Sequence, residues 1–525
     1  MRSWLKMIKE LTIRPKGERR IRKSPAYAFD EDLNKPLSGI KVKEILEDSK
    51  DIIFREFVLQ GKERIPCILG AVDGMVDKNQ LDLFILKPLM VDLAGHPELA
   101  QLTVANVVDR TLQSLLPGLE FKKIGKMGEA LEAILTGDAV IFFGDAPEAL
   151  VFGARGWEKR AVTEPITETI VKGPHEGFTE TLRINTSLLR RKIKHPSLRL
   201  ISLKLGDMTN TDLVVTYIEK IASPDIVSEV LKRLGKIKMD GVLGNGYIEE
   251  MLEDSPYSPF PQIAFTERPD VLAGKLLEGK VGIILDGTPI VLVVPALLTQ
   301  FLNVNEDYYQ RPIAAVLFRF VRYLGAFVAL LAPSIYIAVT TFHQEIIPTD
   351  LLMSISAGRR GVPFPALLEA LMMTVVLEVL QEAGLRLPKP IGQTIGIVGA
   401  LIIGDAAVKA GLVSPLMVII IGITAVASYA IPYYDLSLAV RIMRFPLMLL
   451  AGILGFFGVS LGLYVIAIHL LSLRSFGVPY LSPISPLRVR AALQDTFVRA
   501  PWWALKRRPQ LIDVEEPHSG GKGKG

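Results

Sequence analysis

Hydrophobic and polar positions are segregated along this chain. Up to residue 285 apolar and charged residues alternate in short runs; from Val316 to Leu473 apolar residues run on with few breaks. Period-two alternation marks half-buried strands, and apolar positions three or four apart mark a helix face. On that basis Ile52–Leu59 and Ile65–Val72 read as strands, and Asp73-Gly74 as the turn after them. Lys43–Asp51 reads as a short helix and Leu81–Met90 as an amphipathic segment. Met127–Leu135 reads as a helix closed by Gly137-Asp138, and Ala139–Phe143 as a buried strand.

A second soluble unit follows. Phe178–Arg191 is expected to be helical, ending in the basic run Leu189-Arg190-Arg191-Lys192. Leu198–Leu205 and Leu213–Ile221 alternate like strands, Pro224–Leu234 and Gly246–Leu252 read as helices, and Lys280–Leu285 as a strand before the turn Asp286-Gly287-Thr288-Pro289. Elements mixed in this way suggest sheets flanked by helices. No internal repeat or low-complexity tract is visible before the tail.

Beyond that the pattern changes. A bilayer core is crossed by roughly 20 apolar residues of helix. Val316–Thr341, Ile391–Ala407, Leu416–Ile431 and Phe445–Leu471 approach or exceed that length. Ile290–Val304 is too short and reads as a re-entrant or interfacial segment, or as a buried strand and turn. Phe364–Gly384 is helical in pattern but carries Glu369, Glu378 and Glu382, with Thr374, Glu378, Gln381 and Glu382 on one face. The expected fold is therefore a two-part α/β N-terminal region followed by an all-α polytopic membrane bundle of four spans, five or six at most. The expected segments are a basic arm (1–36), α/β subdomains (37–150 and 151–285), a membrane domain (286–473) and a C-terminal tail (474–525).

Gly392, Gly396, Gly399 and Gly404 form a small-residue stripe on which another helix could pack closely. Asp405 stands one turn before Lys409, so the two could pair. Intramembrane acids are costly and normally face protein or water. Glu369, Glu378, Glu382 and Asp405 are therefore the candidate polar lining of a hydrated path. The bland alternative places the Glu-bearing helix at the interface and Asp405 in a simple pair near a helix end.

Charge refines the picture. Formal net charge is +5, yet Met1–Ser24 alone carries nine Lys/Arg against Glu10 and Glu18. The basicity belongs to a disordered, solvated arm, or alternatively a tether to anionic lipid, and not to a nucleic-acid-binding face. Arg311, Arg319 and Arg322 at the first span, and the basic tail, favour cytosolic flanks, so the N-terminal region is expected in the cytosol. Cys67 is the only cysteine, which rules out an internal disulfide. No catalytic or metal motif stands out, so neither an enzyme, a cofactor nor a metal is expected. The loop Gly173-Pro174-His175-Glu176-Gly177 reads as a tight turn before a helix.

Several of these stretches together resemble one family. They are Asp73-Gly74-Met75-Val76-Asp77 with Ile85-Leu86-Lys87-Pro88-Leu89-Met90, Thr163-Glu164-Pro165 with Glu168, and the Gly-Pro-His-Glu-Gly-Phe loop with Asn185 and Leu189-Arg190-Arg191. Further on come Asp286-Gly287-Thr288-Pro289, Gly361-Val362-Pro363-Phe364-Pro365 with Glu369, Glu382 through Pro388, and Gly392-Gln393 through Gly404. The chain resembles the A subunit of GerA-type nutrient germinant receptors of bacterial endospores. His175 stands where the family pattern often has Arg. The resemblance implies a multi-pass protein of the inner spore membrane. It also implies a transporter-like B subunit and a lipoprotein C subunit as partners, and a homo-oligomer that releases cations. A secondary transporter of a small nutrient and a non-conducting membrane scaffold are the rival readings.

Overall fold

The computed structural model describes residues 36–60, 62–92, 102–112, 121–156, 165, 167–386, 402–486, 495–501 and 504. Two compact units result. One comprises Met1–Glu253, Ile263–Pro295 and Pro501–Gly525, the other Asp254–Gln262 and Ala296–Ala500.

The first unit holds two five-stranded sheets. Helix α1 (Gly39–Leu46) leads into β1 (Ile52–Gln60) and β2 (Arg64–Val72); β3 (Phe121–Ile124), α2 (Met127–Thr136), β4 (Ala139–Phe143) and β5 (Ala149–Phe152) follow. The strand order is β1-β2-β4-β5-β3 and every pairing is antiparallel. Strand β4 is buried along its whole length because both faces are covered. Ala139, Ile141 and Phe143 pack with Ile85, Leu86 and Leu89; Val140 and Phe142 pack with Val42, Leu131 and Ile134 of the helices opposite. This split is the period-two rule acting inside one strand. The segment expected to be amphipathic, Leu81–Met90, falls largely on two π-helical turns, Asp82–Leu86 and Pro88–Asp92.

The second sheet is formed by β6 (Leu198–Leu205), β7 (Thr211–Ile218), β8 (Ala264–Thr266), β9 (Val281–Leu285) and β10 (Val291–Val294). Its helices are α3 (Leu182–Lys192), α4 (Pro224–Leu234), α5 (Asn245–Leu252) and α6 (Pro269–Leu277). Its order is β6-β7-β9-β10-β8, again antiparallel throughout. The expectation of no internal repeat needs correction, because the two sheets share one topology. Their closing stretches align without a gap: β4 with β9, β5 with β10, α2 with α6, Gly137 with Gly279 and Pro147 with Pro289, all at one constant offset. Few side chains match, so the repeat is hidden from a reading of residues. Ile290–Val304 opens with strand β10 and continues as turns and a 3-10 helix, the second of its two expected forms.

The second unit is helical: α7 (Pro312–Thr341), α8 (Thr349–Arg359), α9 (Ala366–Arg386), α10 (Pro415–Tyr429) and α11 (Tyr434–Ser472). Four spans are expected; among the described residues only α7 and α11 have the length and apolarity to cross a bilayer. Helix α10 has 15 residues, which spans about 22 Å at a rise of about 1.5 Å per residue and falls short of the hydrocarbon core. Most of Ile391–Ala407 lies outside the described residues.

Helix α11 is itself two helices, because Gly455 has φ +62° and ψ −140°, which breaks the spiral. A Cβ placed on Gly462 would lie 2.5 Å from Leu447. In a straight helix those residues would be about 22 Å apart. Phe445–Leu471 therefore turns back on itself instead of running straight, a second correction. Phe342 and His343, at the end of α7, cap the bend, and the His343 ring lies tilted against Phe456 with centroids 4.9 Å apart.

Candidate functional site

Two polar centres stand out, one in each unit. In the first, both Asp-Gly turns converge on α3. Asp286 Oδ1 accepts from the Leu182 N–H at 2.9 Å and so satisfies a free donor at the start of the helix. Asp73 pairs with Arg183 at 3.0 Å and with Lys78 at 3.0 Å. Helix α3 starts at Leu182, later than Phe178, because Asn185 folds back: its side chain both accepts from and donates to the backbone of Thr179, at 2.7 and 2.6 Å. A pocket beside this junction is lined by Gly74, Gly156, Thr181, Arg183, Ser187 and Arg191.

The basic end of α3 is structural adhesive. Arg190 is fully buried and forks onto Asp51 with two 2.9 Å bonds, joining the two sheets. Arg191 and Lys192 grip Glu176 at 3.1 and 2.8 Å, with Lys192 foremost in holding that carboxyl below its usual range. The loop from Gly173 to Gly177 is thereby pinned, and Phe178 beyond it enters the core of the second sheet. Burial pushes the Cys67 thiol up to about 12, the mark of an inert side chain.

The second centre lies among the helices. Glu378 of α9 accepts from Arg441 Nε at 2.9 Å and lies 2.6 Å from its Nη2, with Arg444 at 3.8 Å. Both arginines sit in α11, not in the connecting loop that the apolar pattern suggests. Arg444 is buried and donates through Nε to the Ala329 carbonyl at 2.9 Å. Its Nη2, and Oε1 of Gln381, have no hydrogen-bond partner among the described residues. Glu369 is buried too: it takes a bond from Arg359 at 3.1 Å and another from the Ser414 N–H, at the start of α10, at 3.0 Å. Glu382 is exposed. Asp405 and Lys409 pair at 2.7 Å, both exposed. Gly404 packs near Val418, while Gly392, Gly396 and Gly399 lie outside the described residues.

A third polar junction was not foreseen from the spacing of residues. Asp307, just before α7, is buried under Arg319 (2.9 Å) and a two-bond contact from Arg322 (2.8 and 2.7 Å). Arg319 also reaches Asp495 at 3.5 Å, and Tyr308 donates to the same carboxylate at 2.7 Å. Arg319 and Arg322, two of the three arginines that flank the first expected span, are thus partnered within the protein. Among the described residues no group of His, Cys, Asp and Glu is arranged to hold a metal.

The chain thus combines a two-sheet α/β unit with a helical unit that has two helices long and apolar enough to cross a membrane among the described residues. Residues 40–511 match the family described as "Bacillus/Clostridium GerA spore germination protein", and the chain belongs to that family. It is 42% identical to "Spore germination protein KA" of Bacillus subtilis over 92% of this chain and 87% of that one. It is 43% identical to "Uncharacterized membrane protein YfkQ" of the same organism, over 91% of each. To "Spore germination protein GerLA" of Bacillus cereus it is 37% identical, over 91% of this chain and 95% of the relative. Among solved structures it is similar to the N-terminal domain of the A subunit of the Bacillus megaterium spore germinant receptor GerK3. That match has 30% identity and a TM-score of 0.39, and covers 49% of this chain and 93% of that one.

Proposed function

We propose that this chain is the A subunit of a spore germinant receptor. In this reading it passes the nutrient signal through the inner spore membrane and catalyses no reaction. The soluble unit lies on the cytosolic side and meets the B and C subunits, and several copies assemble around a cation path. The carrying observation is the polar stripe of α9. Glu369, Thr374, Glu378 and Gln381 all turn into an apolar bundle, and among the described residues Oε1 of Glu378 and Oε1 of Gln381 have no hydrogen-bond partner there. Polar groups at membrane depth are met by protein or by water. Glu382, one turn on from Glu378 and exposed, is the acid we assign to the path.

The test is cation flux through the reconstituted receptor. Glu382→Gln is expected to lower cation-over-anion selectivity, and Glu378→Gln to disturb the bundle. Unchanged conductance and selectivity in both variants would remove these acids from the path. The engagement of Glu378 by two arginines favours one other reading, a non-conducting scaffold, which predicts no flux from the intact complex.

A further inference from the structure

Helix α11 ends in a tightly fixed corner. It stops at Ser472, and the short strands Arg474–Ser475 and Val478–Pro479 pair antiparallel directly after it. Phe476 and Gly477 between them have φ of +49° and +79°, the two left-handed positions of a type I′ turn. The Phe476 N–H donates to Asp254 at 2.7 Å. Ser475 faces inward: its hydroxyl donates to the Gln262 carbonyl at 2.7 Å and accepts from the Ala296 N–H at 3.0 Å. Alternation along the strand then turns Arg474 outward. Among the described residues the exposed Arg474 guanidinium has no ion pair and no hydrogen bond.

Arg474 lines an open cavity of about 240 Å³, with Ser485 as the other polar group and Leu471, Leu473, Pro479 and Leu481 among its walls. Leu471 also ends a stripe on the second arm of α11. Phe457, Leu461, Tyr464, Ile468 and Leu471 recur every four and three residues, which places them on one helix face, and all five are exposed. The stripe runs about 21 Å, more than half of a hydrocarbon core of about 30 Å. An apolar track as deep as one leaflet therefore leads into a cavity whose one charge is an unpaired cation.

We infer that the corner after α11 binds an anionic phospholipid, with an acyl chain laid along residues 457–471 and the phosphate group held by Arg474 and Ser485. The inference rests on the membrane placement of α11 and not on the cation path. The two parts of the site do different work. The stripe accepts any hydrocarbon tail, whereas the guanidinium favours a head with net negative charge.

Native mass spectrometry of the detergent-purified full chain tests this, with phosphatidylglycerol and phosphatidylcholine of identical acyl chains added in turn. The wild type should retain phosphatidylglycerol in preference. Arg474→Gln should weaken that retention about tenfold, the scale of one charge-assisted hydrogen bond, and weaken phosphatidylcholine much less. Arg474→Lys should keep most of the preference. Arg360→Gln removes the same charge from another exposed position of the helical unit and should change nothing. Ile468→Gln should weaken both lipids alike, and inorganic phosphate, which carries the charge without the tail, should displace neither. Unchanged retention in Arg474→Gln, an equal loss in Arg360→Gln, or displacement by phosphate would overturn the site. So would copies of the chain that come apart in Ile468→Gln with lipid retention intact, since the stripe would then be a protein interface. Equal retention of the two lipids by the wild type would remove the headgroup site alone; retention of neither would also remove the helical unit from the membrane.

Discussion

Gly137 and Gly279 occupy the same turn in the two halves of the soluble unit, with φ of +95° and +93°. Each ends the helix before a fully buried strand, β4 in one sheet and β9 in the other. Left-handed backbone of this kind costs a side-chain-bearing residue about 1–2 kcal/mol. The neighbours then separate the two sites. A Cβ on Gly137 would press on the flexible end of Met75 at 3.1 Å, whereas one on Gly279 would meet the rigid Ile221 carbonyl oxygen at 3.0 Å. Thermal melting should show Gly279→Ala as the more damaging substitution, with both below wild type.

Removing one partner of a buried ion pair costs more than removing both. Arg190→Ala strands the carboxylate of Asp51 and should lower stability by about 3–5 kcal/mol. Arg190→Met combined with Asp51→Leu should recover most of that loss. A double-mutant cycle on melting temperature checks the prediction, and equal losses in the single and double variants would contradict it.

Cys67 lies in β2 opposite Phe143 of β4, with its thiol pushed up to about 12. Iodoacetamide at pH 8 should leave the folded chain unlabelled and label it only after urea is added. Labelling at the rate of a free thiol in the native protein would show that the first sheet opens.

His195 titrates at about 4, lowered first by burial and then by Lys220 and Arg190. A depressed value means the unfolded chain takes up the proton first, near its ordinary value of about 6.5. Stability should therefore be complete above that pH and fall steadily as the solution is acidified towards about 4. His195→Gln should flatten this component of the melting-temperature profile.

The bend at Gly455 needs a residue without a side chain. Gly455→Ala would drive a Cβ to 2.8 Å from His343 and 2.9 Å from Phe342. Spin labels at Leu449 and Leu461, both exposed, should lie close together in the wild type and move apart in the variant. An unchanged distance would mean that the two arms hold each other without the glycine.

The strands, the two Asp-Gly turns and the division into soluble and apolar parts were legible because each depends on neighbours in sequence. Period-two burial in Ala139–Phe143 needs only five residues to be seen. What stayed hidden depends on distant partners. The ion pair of Glu378 waits for Arg441 on another helix, and an apolar run from Phe445 to Leu471 looks the same straight or folded at Gly455. The duplicated sheet escaped for a different reason. Topology requires glycines and prolines at its corners and some apolar residue between them, so the corners match while the fillings have diverged.

Arg319 holds both Asp307, which precedes the first long helix, and Asp495, which follows the last one. A single guanidinium cannot reach across a hydrocarbon layer of about 30 Å. If α7 and α11 cross a bilayer, the points where the chain enters and leaves its apolar half therefore share one side of it, and the crossings between them come in pairs.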